Sequence, residues 1–320
     1  MALGEFELIR RYFSSLTEGG RGIALGVGDD AAVTALAVGE QLVACTDTLV
    51  KGVHFPVDAR PEDIATRTLC VNLSDLAAMG AEPRWYTLAL TLDSADEAWL
   101  QAFAAGLADV SRDCGFALIG GDTTRGPLCI SVTAMGAVPA DAYLARHGAR
   151  SGDALYVTGC LGEGAAALAF LEGRLSCSAA EAAHLRQRFY RPIPRLREGR
   201  LLRTLATAAI DISDGLLADA GHIARRSGVA MAIDIDRLPL PALPGADPEA
   251  LLGWALAGGD DYELCFTVAP AHRETVDGMI ASGELAAHRI GEVLAGTGVS
   301  LTRGGRPWQP ARPLSGYQHF

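Results

Sequence analysis

Three apolar runs of this chain lead directly into aspartates that have glycine, serine or threonine beside them. Each run has the composition of a buried strand, and polar groups at the end of such a strand are costly unless something satisfies them. In α/β folds, ligands collect at the carboxyl ends of strands, so the pattern predicts that these aspartates converge on a ligand. The runs with their polar segments are Leu42–Ala44 with Thr46-Asp47-Thr48, Phe116–Ile119 with Gly120-Gly121-Asp122, and Ala208–Ile212 with Ser213-Asp214-Gly215.

The size and charge of the chain exclude several classes of function. Its 320 residues are enough for two domains of ordinary size. A net charge of −11 argues against nucleic acid or an anionic membrane surface as the main partner. It does not argue against phosphorylated substrates, because bound divalent cations reverse the local sign of the charge. The seven cysteines form no CxxC pair and there is no apolar leader, so we expect a cytoplasmic protein with mostly buried free thiols.

The motif content excludes the common nucleotide and metal sites. Lys51 is the only lysine and no glycine-rich loop precedes it, which excludes a P-loop. Gly26-Val27-Gly28 is not followed by the third glycine of a Rossmann fingerprint. No His/Cys cluster has zinc spacing, and no EF-hand loop is present. The remaining candidate ligands are aspartate and hydroxyl oxygens, which suit Mg²⁺ or Mn²⁺.

The order of predicted elements divides the chain into two α/β halves. The first contains strands near 41–45, 86–92, 116–119 and 129–138, with helices over 61–79 and 95–114. The pattern loosens from Pro139 to Asp153, and a second series of strands and helices begins at Ala154. We therefore predict one domain over residues 1–138, a second over 149–305, and a docked tail over 306–320, which is more aromatic than a free tail.

Each aspartate taken alone also has an ordinary structural explanation. Asp214 is placed to cap the helix predicted at 216–227. Thr68, Asn72 and Asp75 fall on one face of the helix over 61–79, which is either a solvated face or the wall of a site. Repetition favours a site, because converging carboxylates repel one another without cations. The residues thus predict multi-metal phosphoryl transfer, with a structural cation site or a Mg²⁺-dependent phosphatase as alternatives.

Six segments of the chain form an ordered set of motifs: Gly28–Asp30, Thr46–Thr48, Val71–Gly80, Ile119–Gly126, Asp211–Gly215 and Gly258–Leu264. In this order, along essentially the whole chain, they resemble the thiamine-monophosphate kinases of the aminoimidazole ribonucleotide synthetase-like superfamily. The resemblance implies an α/β N-terminal domain that binds ATP and Mg²⁺ without a P-loop and pairs across a two-fold axis in a homodimer. It also implies an α+β C-terminal domain, and in-line transfer of the ATP γ-phosphoryl group to thiamine monophosphate. A related ATP-dependent synthetase activity is the alternative within the superfamily.

The resemblance implies roles for individual residues. No general base is among them, because the acceptor phosphate is already anionic and neutralisation by metal matters more. ATP contacts fall on Gly121, Asp122, Arg146 and Ser213, and thiamine monophosphate contacts on His54, Asp261, Glu263 and Tyr317. The positions that match Mg²⁺ ligands are Asp30, Thr46, Asp47, Asp75, Asp122, Asp211 and Asp214.

Two positions depart from the family pattern. Cys45 stands where relatives usually carry serine or threonine, and a neutral thiol is a poor Mg²⁺ ligand, so any contact there is made by backbone, by water or not at all. Asp260 stands where glutamate is common and has a shorter reach. His54 and Arg146 also have ordinary explanations, as a loop histidine and a solvated charge.

Overall fold

The computed structural model describes residues 5–310, 314 and 316 and divides the chain into two compact units. The first comprises the chain up to residue 76 together with residues 81–141, and the second comprises residues 77–80 and the chain from residue 142 onward. Both units mix helices with sheets, which confirms the predicted α/β class.

The first unit is built on a four-stranded sheet with helices packed on one face. Its elements are α1 (Glu5–Tyr12), β1 (Ile23–Leu25), β2 (Val33–Thr34), β3 (Glu40–Val50), α2 (Pro61–Ala78), β4 (Glu82–Leu92), α3 (Glu97–Cys114), β5 (Ala117–Arg125) and β6 (Cys129–Pro139). The sheet order is β3-β6-β4-β5, with β4 and β5 parallel and the other pairs antiparallel. Strands β1 and β2 pair separately. The last residues of α2, Ala77 and Ala78, belong to the second unit.

Local signals set the ends of the two long helices close to where the sequence predicts them. Helix α2 begins at Pro61, whose fixed backbone suits the first helical position, and carries Glu62 and Asp63 in its first turn. The side chain of Asp96 accepts hydrogen bonds from the first turn of α3, and Gly115 ends that helix with a left-handed φ of 64°.

Strands β3 and β5 continue through the polar segments that the sequence predicts to follow them. Pairing between β3 and β6 is unbroken from Glu40 opposite Pro139 to Val50 opposite Cys129. Hydroxyl groups pair across the strands, as between Thr46 Oγ1 and Thr133 Oγ1 at 2.9 Å, so polar residues are accommodated within the ladder. The expectation that Thr46, Asp47 and Asp122 lie in loops beyond strand ends is therefore wrong.

The second unit is built on a seven-stranded sheet of order β13-β12-β9-β11-β7-β10-β8. Its pairs are antiparallel except for β9 with β12. Helix α8 is absent from the sequence-based prediction and begins with a proline at its first position. The elements are β7 (Ala154–Thr158), α4 (Glu163–Leu171), α5 (Ala179–Tyr190), α6 (Leu196–Leu202), β8 (Ala206–Asp211), α7 (Leu216–Ser227), β9 (Ala230–Asp234), α8 (Pro248–Ala257), β10 (Leu264–Val268), α9 (Pro270–Ala281), β11 (Ala287–Leu294), β12 (Gly298–Arg303) and β13 (Arg306–Trp308).

The central strands β7 and β10 are buried at every position. Successive residues of a strand point to opposite faces, and these two strands accordingly feed two hydrophobic clusters. Leu155 and Val157 join the cluster that also contains residues of α7 and α8, whereas Tyr156 and Phe266 stack in the cluster that contains residues of α9. Leu314 from the tail packs against the first of these clusters.

Two further observations concern the whole described chain. None of its helices has the length and apolar character needed to cross a bilayer. All seven cysteines are free thiols, as expected, but only Cys70 and Cys265 are buried and the other five are half-buried. The expectation that most of the thiols are buried is therefore wrong.

Candidate active site

The register of the first sheet places the predicted ligands of the first unit on opposite faces. Residues directly opposite on neighbouring strands share a face. Asp122 lies opposite Ala89 on β4, in the same row as Thr48, and this face is exposed. Thr46 shares the exposed face, whereas Asp47 lies in the alternate row on the face that α2 covers.

The carboxylate of Asp47 is partly buried and has no hydrogen-bond or ion-pair partner among the described residues. It is half-buried, and loss of solvent raises its pKa. In the part of the chain that the structure describes, no group donates a hydrogen bond to this carboxylate and no cation forms an ion pair with it. A desolvated negative charge is unfavourable unless a cation or a proton compensates it. Asp47 is therefore a candidate for binding a cation.

Helix α2 presents a buried polar stripe to the same face of the sheet. Thr68 and Asn72 are both fully buried, so the alternative of a solvated face is wrong for this stripe. The Asn72 side chain donates to the carbonyl oxygen of Thr68 at 2.9 Å, but its Oδ1 atom has no hydrogen-bond partner among the described residues. Asp75 follows on the same helix and is half-buried. An orphaned buried acceptor marks a place where a donor or a cation is missing.

The position of Cys45 answers the question that its chemistry raises. Its thiol lies 3.7 Å from the backbone oxygen of Asn72 and donates to it. The side chain therefore binds helix α2. A sulfur held in this way needs no part in Mg²⁺ coordination, which agrees with its poor affinity for a hard cation.

Asp30 and Gly121 are the remaining candidate site residues of the first unit. Asp30 is exposed, in the turn between β1 and β2, next to Asp29, whose carboxylate accepts from the Asp30 N–H. Gly121 has a φ of 153°, and a Cβ atom there would overlap the carbonyl oxygen of Leu88. Only glycine fits at this point of β5, because the backbone of Leu88 on β4 occupies the space that a side chain would need.

His54 lies in a tight turn directly after β3. The Val50 N–H donates to its Nδ1 atom at 3.0 Å, so in the neutral ring the proton is assigned to Nε2. Arg67 on α2 donates to the His54 carbonyl oxygen at 3.2 Å and anchors the turn. A bridge between Lys51 and Phe55 closes the turn, and Lys51 is exposed.

Three aspartates of the second unit belong to the end of β8, the turn after it and the first turn of α7. Asp211 and Asp219 are almost completely buried, at 4% and 2% exposure, and Asp214 lies between them in the chain. Burial, together with the negative charges of Asp211 and Asp214, raises the pKa of Asp219 to about 7. Repulsion of this kind disfavours the ionised form of Asp219.

Asp214 does not cap helix α7, so the alternative explanation of this residue as a helix cap is wrong. The N-cap residue is Gly215, with a φ of 111° and no side-chain cap. The backbone N–H groups of Asp214 and Gly215 both donate to Asp219 Oδ2 at 3.1 Å. Asp219 thus takes over the capping function from within the helix and leaves the Asp214 carboxylate available.

Arg146 belongs to the same part of the second unit. The pKa of His222, on α7, is lowered by burial and by the charges of Arg225 and Arg146, and Asp214 opposes this effect. Arg146 is exposed. A long, exposed arginine side chain in this part of the unit is suited to binding a phosphate.

The backbone beside Ser213 is strained. Asp260 and Tyr262 have left-handed φ angles of 65° and 52°, which are rare for residues with side chains. Their N–H groups donate to the carbonyl oxygens of Ser213 and Ile212, at 2.9 and 2.8 Å. The strained segment therefore holds the turn that carries Ser213 and Asp214.

Asp261 and Glu263 use their oxygens within the protein. Glu263 is fully buried and accepts hydrogen bonds from Arg195, Arg188 and Thr158 at 2.5 to 3.1 Å. The Asp261 carboxylate accepts from the N–H groups of Gly162 and Gly164 at 2.8 and 3.0 Å, and burial raises its pKa to about 7. These contacts explain both residues as parts of the framework beneath the strained segment.

Comparison with known proteins matches the chain from end to end. Family models described as "AIR synthase related protein, N-terminal domain" and "AIR synthase related protein, C-terminal domain" match residues 28–138 and 150–304. The thiamine-monophosphate kinase of Escherichia coli strain K12 is 47% identical over 326 residues, which cover 100% of this chain and 99% of the relative. The chain belongs to the thiamine-monophosphate kinase family. The match confirms the predicted two-domain aminoimidazole ribonucleotide synthetase-like fold.

Solved structures of the family agree. The thiamine-monophosphate kinase of Stenotrophomonas maltophilia K279a is 47% identical, with a TM-score of 0.86, covering 96% of this chain and 99% of that one. A structure described as AaThiL complexed with AMPPCP and TMP is 31% identical, with a TM-score of 0.77, covering 100% of this chain and 99% of that one.

Within this family member the predicted residues are only partly gathered. Among residues 5–310, 314 and 316, no group of three or more His, Cys, Asp or Glu side chains is close enough to hold a metal ion, so the tight cluster predicted from the sequence is absent there. Tyr317 lies outside the described residues. Sequence reasoning missed Asp219, Arg188 and Arg195, because a carboxylate in a first helical turn and arginines on helices are ordinary. The orphaned Asn72 was noted only as part of a stripe.

Proposed function

We propose that this protein phosphorylates thiamine monophosphate to thiamine diphosphate at the expense of ATP. The observation that carries the proposal is the end-to-end match to a thiamine-monophosphate kinase at 47% identity over 326 residues. A relative that is 31% identical forms a complex with AMPPCP and TMP, which correspond to an ATP analogue and thiamine monophosphate. The net charge of −11 is compatible with such substrates when divalent cations are bound.

The proposed reaction is a direct in-line transfer. An oxygen of the thiamine monophosphate phosphate forms a bond to the γ-phosphorus of ATP, while the bond from that phosphorus to the β–γ bridging oxygen breaks. The products are thiamine diphosphate and ADP. Catalysis of this kind depends mainly on positioning and on charge stabilisation, and we assign no residue as a general base.

We propose that several Mg²⁺ ions serve this reaction and that aspartate oxygens hold them. The Asp47 carboxylate, desolvated and without a described partner, fits a hard cation, as does the repulsive set around Asp211 and Asp214. Bound Mg²⁺ supplies neutralisation of the phosphate charges. The full proposed set of ligands is Asp30, Thr46, Asp47, Asp75, Asp122, Asp211 and Asp214.

We assign phosphate binding to residues of both units. Gly121 and Asp122 are both exposed residues of β5, and they are the proposed contacts to ATP from the first unit. Arg146 is an exposed cation near Asp214, and Ser213 stands in the turn that Asp260 holds. His54, with its proton on Nε2, is the proposed donor to thiamine monophosphate. Asp261 and Glu263 act by holding the framework, and Tyr317 remains a predicted contact.

We also propose a homodimer formed through the first unit. The face of its sheet opposite α2 is exposed, and on β3 it carries Leu42, 54% exposed, in the same alternating set as Ala44 and Thr46. A sheet face of this kind is normally covered by a second layer. Light scattering at micromolar concentration is expected to give twice the chain mass of 33.4 kDa. The monomer mass in this measurement contradicts the proposal.

The activity is tested by incubating the purified chain with ATP, Mg²⁺ and thiamine monophosphate and separating the products by chromatography. Equal amounts of thiamine diphosphate and ADP are expected. ATP hydrolysis without thiamine diphosphate points to another activity of the superfamily. Release of phosphate from thiamine monophosphate without ATP identifies a phosphatase, and either result rejects the proposal. Asp109→Asn, on the exposed side of α3, serves as the control for charge removal.

A further inference from the structure

Two arginines and a histidine of the second unit form a basic group that the proposed site uses only in part. His222 and Arg225 lie on α7, and Arg146 lies in the loop before β7. Among the residues that the structure describes, none of the three forms an ion pair with a carboxylate. In a chain of net charge −11, neighbouring basic side chains without acidic partners are the natural place for an anionic ligand.

Backbone contacts fix the loop of Arg146 against β8 and α7. The Ala145 carbonyl oxygen accepts from the Ala209 N–H group of β8 at 2.8 Å. The Ala149 N–H group donates to Ser227 Oγ, at the end of α7, at 3.2 Å. Arg146 therefore lies in a short stretch of chain that is held at both ends, and its long side chain starts from a fixed point beside the helix.

The His222 ring lies in the same neighbourhood as Arg146 and Asp214. It is half-buried; burial lowers its pKa most, the positive charge of Arg146 also lowers it, and the negative charge of Asp214 raises it. The tail borders the same stripe of the helix, because a Cβ atom on Gly316 would lie 2.7 Å from the Cβ atom of Ala218, one helical turn before His222. The ring thus belongs to the side of α7 on which the proposed ATP contacts lie.

A hydrogen bond from Arg225 fixes the proton of the His222 ring. Arg225 Nη2 lies 3.0 Å from His222 Nδ1, and a guanidinium group only donates, so Nδ1 accepts. The ring is neutral in this arrangement, and its proton is assigned to Nε2. Nε2 has no hydrogen-bond partner in the described part of the chain. The ring therefore offers an N–H donor that no protein acceptor uses.

Stabilisation of the helix dipole accounts for only part of this arrangement. Arg225 and Arg226 both lie in the last turn of α7, where positive charge is favourable. Arg226 forms no hydrogen bond or ion pair with the described residues, whereas Arg225 turns back to His222. The dipole requires the charge of Arg225 but not its hydrogen bond to the ring, and it explains neither His222 nor Arg146.

We propose that His222 is a further nucleotide ligand, whose Nε2–H group donates to a phosphate oxygen of the ATP that Arg146 binds, and that Arg225 is the positioning residue that holds the ring in this tautomer. This inference rests on the proposed function, in which Arg146 contacts ATP. The two side chains complement each other, because the arginine supplies charge and the neutral ring supplies a directed hydrogen bond. A hydrogen bond to a charged group changes affinity by about 10–100-fold.

The test compares three variants of His222 in the full-length chain. His222→Gln brings an amide nitrogen to the place of Nε2, His222→Asn is shorter and reaches only to the place of Nδ1, and His222→Phe keeps a ring without a donor. Isothermal titration calorimetry measures the binding of AMPPCP in the presence of Mg²⁺, and the product assay gives KM for each substrate. His272→Asn, at an exposed position of α9, is the control for loss of a histidine.

We expect His222→Phe and His222→Asn to weaken AMPPCP binding by about 10–100-fold and to raise KM for ATP, while KM for thiamine monophosphate stays the same. His222→Gln restores most of the affinity, and His272→Asn binds as wild type does.

A second pair of variants tests the positioning role of Arg225. Arg225→Met weakens AMPPCP binding, but less than His222→Phe does, because the ring is still present and only its tautomer is no longer fixed. Arg226→Met removes the same charge from the same helical turn and leaves the affinity near that of wild type. Equal effects of Arg225→Met and Arg226→Met show that only net charge matters, and they reject the positioning role.

The outcomes separate this inference from the proposed function. Wild-type chain that binds AMPPCP but forms no thiamine diphosphate rejects the function, and the binding data still decide the role of His222. Active wild type with folded His222→Phe and His222→Asn variants of unchanged AMPPCP affinity rejects the inference alone, as does a His222→Gln variant that binds as weakly as His222→Phe. Thermal melting identifies folded variants, and if the phenylalanine variant does not fold, the asparagine variant decides. A wild-type chain that binds no AMPPCP rejects both.

Discussion

The acidic residues of the first sheet and those around β10 have opposite environments. Glu263 and Asp261 are completely enclosed, and every contact that stabilises them comes from the protein. Asp47 has lost solvent but gained no described protein partner. The difference shows that burial of a carboxylate does not by itself identify its role. A buried acid with its own arginines belongs to the framework, and a buried acid without them is the better candidate for a cation ligand.

The largest effect should come from breaking the enclosed network. Glu263→Gln removes the charge that compensates Arg195 and that shares Arg188, whose side chain is 8% exposed, with Glu163. Removal of one partner of a buried ion pair costs about 3–5 kcal/mol of unfolding free energy. Urea denaturation of the variant measures this loss. Glu249→Gln, at an exposed position on α8, is the control, and equal stability of the two variants argues against the framework role.

Asp47→Asn tests the acid that has lost solvent without gaining a described protein partner. If this carboxylate holds Mg²⁺, its loss removes several kcal/mol of charge stabilisation, which corresponds to a fall in kcat/KM of about 10²–10³-fold. The metal-free protein should be as stable as wild type or more so, because an uncompensated charge is gone. Steady-state kinetics and thermal melting provide both readings. Activity within tenfold of wild type, with Asp109→Asn unaffected, removes Asp47 from the ligand set.

Asp261→Asn tests whether burial of this carboxyl group costs stability although the group accepts two backbone hydrogen bonds. Burial raises the pKa of Asp261 to about 7, so the folded state binds its proton more tightly than the unfolded state does. Its carboxylate therefore costs stability increasingly as the pH rises from about 4 to about 7, and the cost is constant above that range. The variant should gain on wild type between pH 5 and pH 8 when urea midpoints are compared. A constant difference across this range contradicts the raised pKa.

The smallest effect is expected where an acid of the first unit already has its partners. Asp96 accepts from the N–H groups of Ala98 and Trp99, so Asp96→Ala should cost about 1 kcal/mol of stability and leave kinase activity unchanged. Urea denaturation and the product assay measure the two quantities. A loss of activity without a loss of stability breaks the distinction between satisfied and unsatisfied acids.

Much of the fold follows from local chemistry that a single sequence displays. The start of α2 at Pro61 and the end of α3 before Gly115 depend on residues at those positions, and both were predicted within two residues. The prediction failed at the ends of β3 and β5. Polar residues usually end strands, but here Thr46 finds Thr133 across the sheet, and that partner is more than eighty residues away in the chain.

The candidate site shows the same limit. The aspartates next to apolar runs were identifiable from their neighbours, and the ordered motifs indicated the family. The sequence did not indicate that Asp47 and Asp122 point to opposite faces, since that depends on strand register. Nor did it indicate that Glu263 binds Arg195, 68 residues before it, or that Asp219 replaces Asp214 as the cap. These features follow from pairings between distant segments, which composition and spacing do not encode.

The closed turn after β3 makes the protein unusually convenient for labelling. Lys51 is the only lysine of the chain and is exposed, so apart from the α-amino group an amine-reactive fluorophore has one site of attachment. That site lies three residues before His54, in the turn that the Val50 N–H and Arg67 hold in place. A dye at Lys51 would report, in real time and without mutagenesis, whether adding thiamine monophosphate changes the surroundings of this turn.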